Sequence, residues 1–202
     1  MTVNETRSIS RAERQALTRE SLIATARDMF LAVGYAATSL DRVALEAGFS
    51  KGAVYSNFAG KEELCMAVLD SIHEEQLGGV LSAFSKDTDL DGRIDAFVEW
   101  AREGLGRPRW TALEVEFASI ARQSPYVALE LVKRHREITD ALTELIAGVL
   151  TQEKLDIGLT PRQAATALLS LGIGLGAMRS LDSSIDVDIF GGIIRALLAP
   201  SR

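Results

Sequence analysis

Apolar residues along this chain recur at intervals of three and four rather than two, which predicts an all-α protein. Ile23, Ala26, Phe30 and Val33 share one face of a helix expected over residues 18–33, which Gly34 stops. Thr38 or Ser39 caps a second helix, with Leu40, Val43, Ala44 and Ala47 on its inner side and Gly48 at its end. Ser50 caps a third, very short helix over residues 51–58. A fourth starts near Gly60 with Glu62 and Glu63 in its first turn, where unpaired backbone N–H groups favour negative charge, and runs to about Phe84. "SKDTDLDG" then reads as a turn-rich linker, followed by longer amphipathic segments at 91–104, 110–122, 126–150, 161–181 and 187–198.

The formal charge of -6 argues against a surface coated with nucleic acid, but it averages two unlike parts. Residues 1–61 hold eight Lys or Arg against six Asp or Glu, and residues 62–202 hold 14 against 22, so only the first part tolerates an anionic partner. Cys65 is the single cysteine, which rules out an intrachain disulfide or a thiolate metal cluster; beside Leu64, Met66 and Val68 it reads as a small buried side chain. The weakly polar run 164–178 is short for a bilayer span, and the polar N-terminus lacks the apolar core of a secretory signal, so a cytoplasmic protein is expected.

Two helices joined by a glycine turn, the second short and serine-capped, describe a helix-turn-helix. Ala44 supplies the small crossing residue, Gly48 the turn, and Val43, Phe49 and Val54 the anchors. At the protruding end, Ser50, Lys51, Gly52 and Ala53 combine one long cation with small side chains, so backbone can approach DNA closely while Lys51 reaches a base edge or a phosphate. Tyr55, Asn57 and Lys61 can donate to phosphates, as can Thr38 and Ser39. Spacing alone also admits a plain helical hairpin with Tyr55 in the core, Asn57 as a C-cap and Lys61 in solvent.

The run "SLIATARDMFLAVGYAATSLDRVALEAGFSKGAVYSNFAGKEEL" resembles the DNA-binding domain of the TetR family of bacterial regulators. The resemblance implies an N-terminal arm (1–17), a three-helix DNA-binding domain (18–64) and a larger helical domain for effector binding and dimerisation (65–202). It further implies a homodimer on an inverted-repeat operator, acting as a ligand-responsive regulator and expected to be a repressor, with release or promotion of DNA binding by the ligand left open. By position, Ser39 and Leu40 open the second helix, Lys51 and Ala53 face bases, and Tyr55, Asn57 and Lys61 face phosphates. Leu40 has only its backbone to offer. Asn57 stands where the family often has histidine, and Gly60 where serine is frequent.

In the C-terminal part, Trp100, Trp110, Phe117, Tyr126 and Met178 are candidate walls of an effector cavity, with Glu114, Arg122 and His135 as orienting groups; core packing for the aromatics and a solvated surface for His135 are the plain alternatives. "LSLGIGLGAM" lacks the dinucleotide-loop spacing, so Gly172, Gly174 and Gly176 imply close approach of a partner helix, and the family's dimer seam falls on the last two long helices. A kink beside the pocket is the competing account. His73 and His135 sit in no H-E-x-x-H or E-x-x-H pattern, so no metal, cofactor or enzyme is expected. The alternatives are a small helical enzyme and an effector-free architectural DNA-binding protein, which would need a more basic surface.

Overall fold

Residues 10–105 and 109–198 are described by a computed structural model, and among them the chain forms nine helices and no strand. These are α1 (Arg11–Val33), α2 (Leu40–Glu46), α3 (Lys51–Tyr55), α4 (Lys61–Phe84), α5 (Leu90–Gly104), α6 (Arg109–Ala121), α7 (Pro125–Glu153), α8 (Pro161–Leu181) and α9 (Asp188–Leu198). The chain divides into two compact units between Val68 and Leu69, four residues beyond the expected boundary and inside α4.

α1 starts well before the expected residue 18. Ser10 accepts from the Glu13 N–H at 3.1 Å while Glu13 accepts from the Ser10 N–H at 2.7 Å, a reciprocal cap that draws residues 11–17 of the anticipated arm into helix. The first nine residues of that arm lie outside the described residues.

In the first unit, α1 packs on α2 and α3, and α2 packs on α3. Leu22, Ala26 and Phe30 of α1, Val43 and Ala44 of α2, Val54 of α3 and the following Phe58 make a core in which none is more than 2% exposed. Cys65 is buried there as expected. The guanidinium of Arg19 lies 4.2 Å from the Phe58 ring centroid and donates to the Asn57 carbonyl at 2.8 Å, closing one end of this core.

In the second unit, α7 packs on α8, α6 on both, and α5 on α9. Phe97 meets Phe190 edge to face with centroids 5.0 Å apart, and Ile94, Val98, Ala101, Val187 and Ile194 surround the pair. Arg102 forks onto Asp188 at the start of α9, at 2.7 and 2.6 Å. Arg134 of α7 forks onto Asp70 of α4 at 2.6 and 2.9 Å.

α8 is 21 residues long, and by length and composition alone it is apolar enough to cross a bilayer; residues 164–178 taken by themselves understate it. Only 17% of its most apolar window is buried within the chain. Its glycines differ from expectation. A Cβ on Gly176 would come within 2.5 Å of Thr111, and one on Gly172 within 3.3 Å of Phe190, so the close approach at these two positions is intramolecular. Gly174 alone faces open space.

Two adjacent glycines of α4 offer a direct test of packing against propensity. A Cβ at Gly79 would lie 2.0 Å from the Trp100 indole nitrogen, whereas one at Gly78 meets nothing within 4 Å. Gly79→Ala is expected to destabilise by about 1–3 kcal/mol through forced displacement of the indole. Gly78→Ala should stabilise by up to about 1 kcal/mol from helix propensity. Denaturant melts of both variants check the sign of each.

Candidate functional site

The turn that aims α3 is set by a few atoms. Gly48 takes φ +73°, a left-handed value that disfavours a side chain, and the Phe49 N–H donates to the Ala44 carbonyl at 2.9 Å, so the chain reverses directly after α2. Ser50 then caps α3 by accepting from the Ala53 N–H at 3.2 Å. With Val54 fully buried, the opposite face of a five-residue helix turns outward: Lys51, Gly52 and Tyr55 are all exposed, Tyr55 by 58%. A Cβ on Gly52 would make only an ordinary 3.7 Å contact with Ser50 Oγ. The fold has no need of glycine there, and its small size leaves room for something outside the chain. Ala53 is half-buried beside it.

The other expected contacts divide. Ser39 is exposed, with its hydroxyl accepting from the Arg42 N–H at 3.2 Å, and Leu40 is half-buried at the first position of α2. Thr38 is 2% exposed and its hydroxyl donates to the Gly34 carbonyl at 3.0 Å, which withdraws it from the outer surface. The Asn57 amide donates to the Ala53 carbonyl at 2.8 Å. It therefore caps α3 and stops it at Tyr55 rather than at residue 58. Lys61 donates to the Ala36 carbonyl at 3.3 Å with its ammonium 4.1 Å from the Tyr35 ring centroid, so it serves the fold of its own unit. Lys51 pairs with Asp41 of α2, and both side chains are more than half exposed, so water screens the pair and it is readily exchanged. Arg42, exposed on α2, was not anticipated; the burial of Val43 and Ala44 beside it is the signal that points it outward.

A second feature lies wholly within the C-terminal unit: a cavity of about 180 Å³ walled by α4, α5, α6, α7, α8 and α9. Trp100, Trp110 and Glu114 line it as expected. Phe117 is fully buried in packing outside the lining, while Arg122, Tyr126 and Met178 are exposed and also outside it, the last two by 52% each. Those four positions are corrected: residue type identified apolar or polar side chains, but the helix face carries them away from the cavity.

Two lining residues, His73 and Gln76 of α4, were not anticipated as part of it. They stand three apart on one helix face, a spacing visible in the sequence, but nothing in the sequence pairs that face with α6. Nε2 of His73 lies 3.4 Å and Nε2 of His135 2.9 Å from the same Glu114 oxygen, Oε1. Burial pushes the Glu114 carboxyl up, but the hydrogen bonds with His135 and then His73 outweigh it and hold the group at about 2, ionised at neutral pH. The hydrogen bond to Glu114 in turn raises His135 above the ordinary imidazole range, so this histidine is half-buried and paired rather than merely solvated. Among the described residues no group of three or more His, Cys, Asp or Glu is arranged to hold a metal ion.

Comparison with known proteins joins these two features. The family model for bacterial regulatory proteins of the tetR family matches residues 22–68, the span that contains α2 and α3. Over 166 residues the chain is 30% identical to the HTH-type transcriptional activator FasR of Mycolicibacterium smegmatis, across 82% of this chain and 70% of that protein. It is 24% identical to the HTH-type transcriptional regulator UidR of Escherichia coli, across 82% of each. A solved transcriptional regulator of the TetR/AcrR family from Thermobifida fusca is 31% identical, with a TM-score of 0.62 over 91% of this chain and 98% of that one. With a helix-turn-helix in its first unit and likeness of this extent through its second, the chain belongs to the TetR family of transcriptional regulators.

Proposed function

We propose that this regulator is a cytoplasmic homodimeric repressor that seats α3 of each protomer in the major groove of an inverted-repeat operator and responds to a small molecule held in the C-terminal cavity. The observation that carries the reading is the outward face of α3, where Lys51, Gly52 and Tyr55 are exposed around a buried Val54. Lys51 exchanges its exposed Asp41 partner for a base edge or phosphate, Gly52 lets the backbone come close, and the Tyr55 hydroxyl donates to the phosphate backbone. Ser39, Ser50, Ala53 and the Leu40 backbone border the same approach, and Arg42 adds a cation. Repression requires only that the seated dimer exclude other proteins from the site.

Two half-sites need two protomers about 34 Å apart. The outer face of α8 supports the seam: Ala167, Ser170, Gly174, Met178 and Leu181 are exposed at spacings of three or four, and Ile189, Gly192 and Ala196 continue the pattern on α9. Gly174 is the position on this stripe where a partner helix can approach closely. A small or apolar stripe of this kind is what a two-fold helical bundle buries. The cavity distinguishes this reading from an effector-free architectural protein, and members of the family are regulators rather than enzymes. An effector acts by binding the DNA-competent and incompetent arrangements unequally.

Lys51→Ala is expected to lower operator affinity by about 1–3 kcal/mol and to narrow the gap between operator and scrambled duplex. Tyr55→Phe should weaken both duplexes alike, by about 1 kcal/mol. Anisotropy titrations at several salt concentrations separate the two outcomes, and unchanged affinity in both variants would remove α3 from the interface. For the seam, Gly174→Glu meets open space within one chain. Helix content by circular dichroism should persist while sedimentation shifts from dimer to monomer at micromolar concentration. A persisting dimer would place the seam elsewhere.

A further inference from the structure

The polar groups lining the cavity include an unpaired acceptor, Gln76 Oε1, and a buried carboxylate, Glu114. Gln76 Oε1 is a buried amide oxygen with no hydrogen-bond partner. Glu114 is 5% exposed, and both histidine contacts fall on its Oε1 rather than its Oε2. His73 Nε2 is directed at that oxygen, at 3.4 Å. His135 lies outside the lining and aims its Nε2 at Oε1 from behind, so it partly balances the carboxylate without offering the cavity a donor. The Trp110 indole N–H is already directed at the Gly104 carbonyl, at 3.4 Å. Apart from the indoles, every other lining side chain among the described residues is apolar. An unpaired buried acceptor is costly, and a ligand that supplies its proton gains what an acceptor-headed ligand forfeits.

We propose that the effector is a compact apolar molecule with a hydrogen-bond-donating head, an alcohol or amine, set against Gln76 Oε1 and Glu114, and that carboxylate-headed molecules of the same size are excluded. This deepens, and rests on, the reading of the cavity as the effector site. A carboxylate would place a second anion beside the buried carboxylate of Glu114. The volume of about 180 Å³ is slightly larger than the ~150 Å³ of an apolar cavity that holds benzene, so one substituted ring fits. Phe97 and the two tryptophans give that ring aromatic walls.

Trp100 and Trp110 are the chain's two tryptophans and both line the cavity, so intrinsic fluorescence of the full-length protein reports its occupancy. Four probes of similar size are titrated: 2-phenylethanol, 2-phenylethylamine, phenylacetate and ethylbenzene. The alcohol and amine should bind about tenfold or more tightly than the other two. In Gln76→Met, which keeps the volume and removes the unpaired oxygen, the advantage of the alcohol over ethylbenzene should fall below about threefold. Glu114→Gln should relax the discrimination against the carboxylate. Carboxylate binding equal to that of the alcohol, or a preference unaltered in both variants, would overturn the inference while leaving the cavity as an effector site. Failure of all four probes to perturb the fluorescence would overturn the effector reading and this inference with it.

Discussion

A helix of five residues has no stability of its own, because nucleating a turn costs more than so few hydrogen bonds return. α3 exists because Val54 is seated in the core, Ser50 and Asn57 cap its two ends, and Gly48 takes the left-handed turn that brings it across α2. Everything proposed for DNA recognition depends on this docking. The buried residue consumes one face of α3, and a helix so short has little left except the face that carries Lys51, Gly52 and Tyr55. The polar groups around it follow the same economy: Thr38, Asn57 and Lys61 spend their hydrogen bonds holding the unit together, and Lys51 alone of the expected cations near α3 is held by nothing stronger than an exposed ion pair.

The C-terminal unit has the opposite problem. It must keep a cavity open inside a helical core, where packing normally closes one. Large side chains keep the helices apart: the Trp100 indole lies directly over Gly79, and Phe97 and Phe190 are wedged edge to face. The buried Glu114 is tolerated because two histidines converge on it, and the resulting cluster fixes α4, α6 and α7 around one polar spot in an apolar interior. Such a spot costs stability unless something uses it, which is the physical reason for reading it as recognition.

Much of the fold was legible from periodicity and caps. Helices α5 to α9 fall within a few residues of expectation, α7 and α8 because Ser124 with Pro125 and Thr160 with Pro161 are strong local signals, and Gly34 likewise marks the end of α1. The early start of α1 was also written locally, in Ser10 and Glu13, but the apolar face that begins farther along concealed it. Side-chain roles were less legible. Lys51 and Tyr55 are exposed, although spacing alone left Tyr55 open between core and surface, and nothing local announced that Asn57 turns back to Ala53 or that Thr38 reaches Gly34. In the second unit, residue type located Trp100, Trp110 and Glu114, but Phe117, Arg122, Tyr126 and Met178 depended on which face each helix turns inward, and that is a tertiary property. The glycines of α8 show the same limit, since two of them answer to Thr111 and Phe190 of their own chain.

The central claim is that two copies of α3 enter major grooves on one side of a duplex. Guanine N7 lies in the major groove, so methylation protection on DNA from upstream of the regulator's own gene tests it directly. The account predicts two protected patches related by a dyad and separated by whole helical turns, lost together when Lys51 is replaced. Protection confined to the minor groove, or a single patch without a symmetry mate, would contradict it.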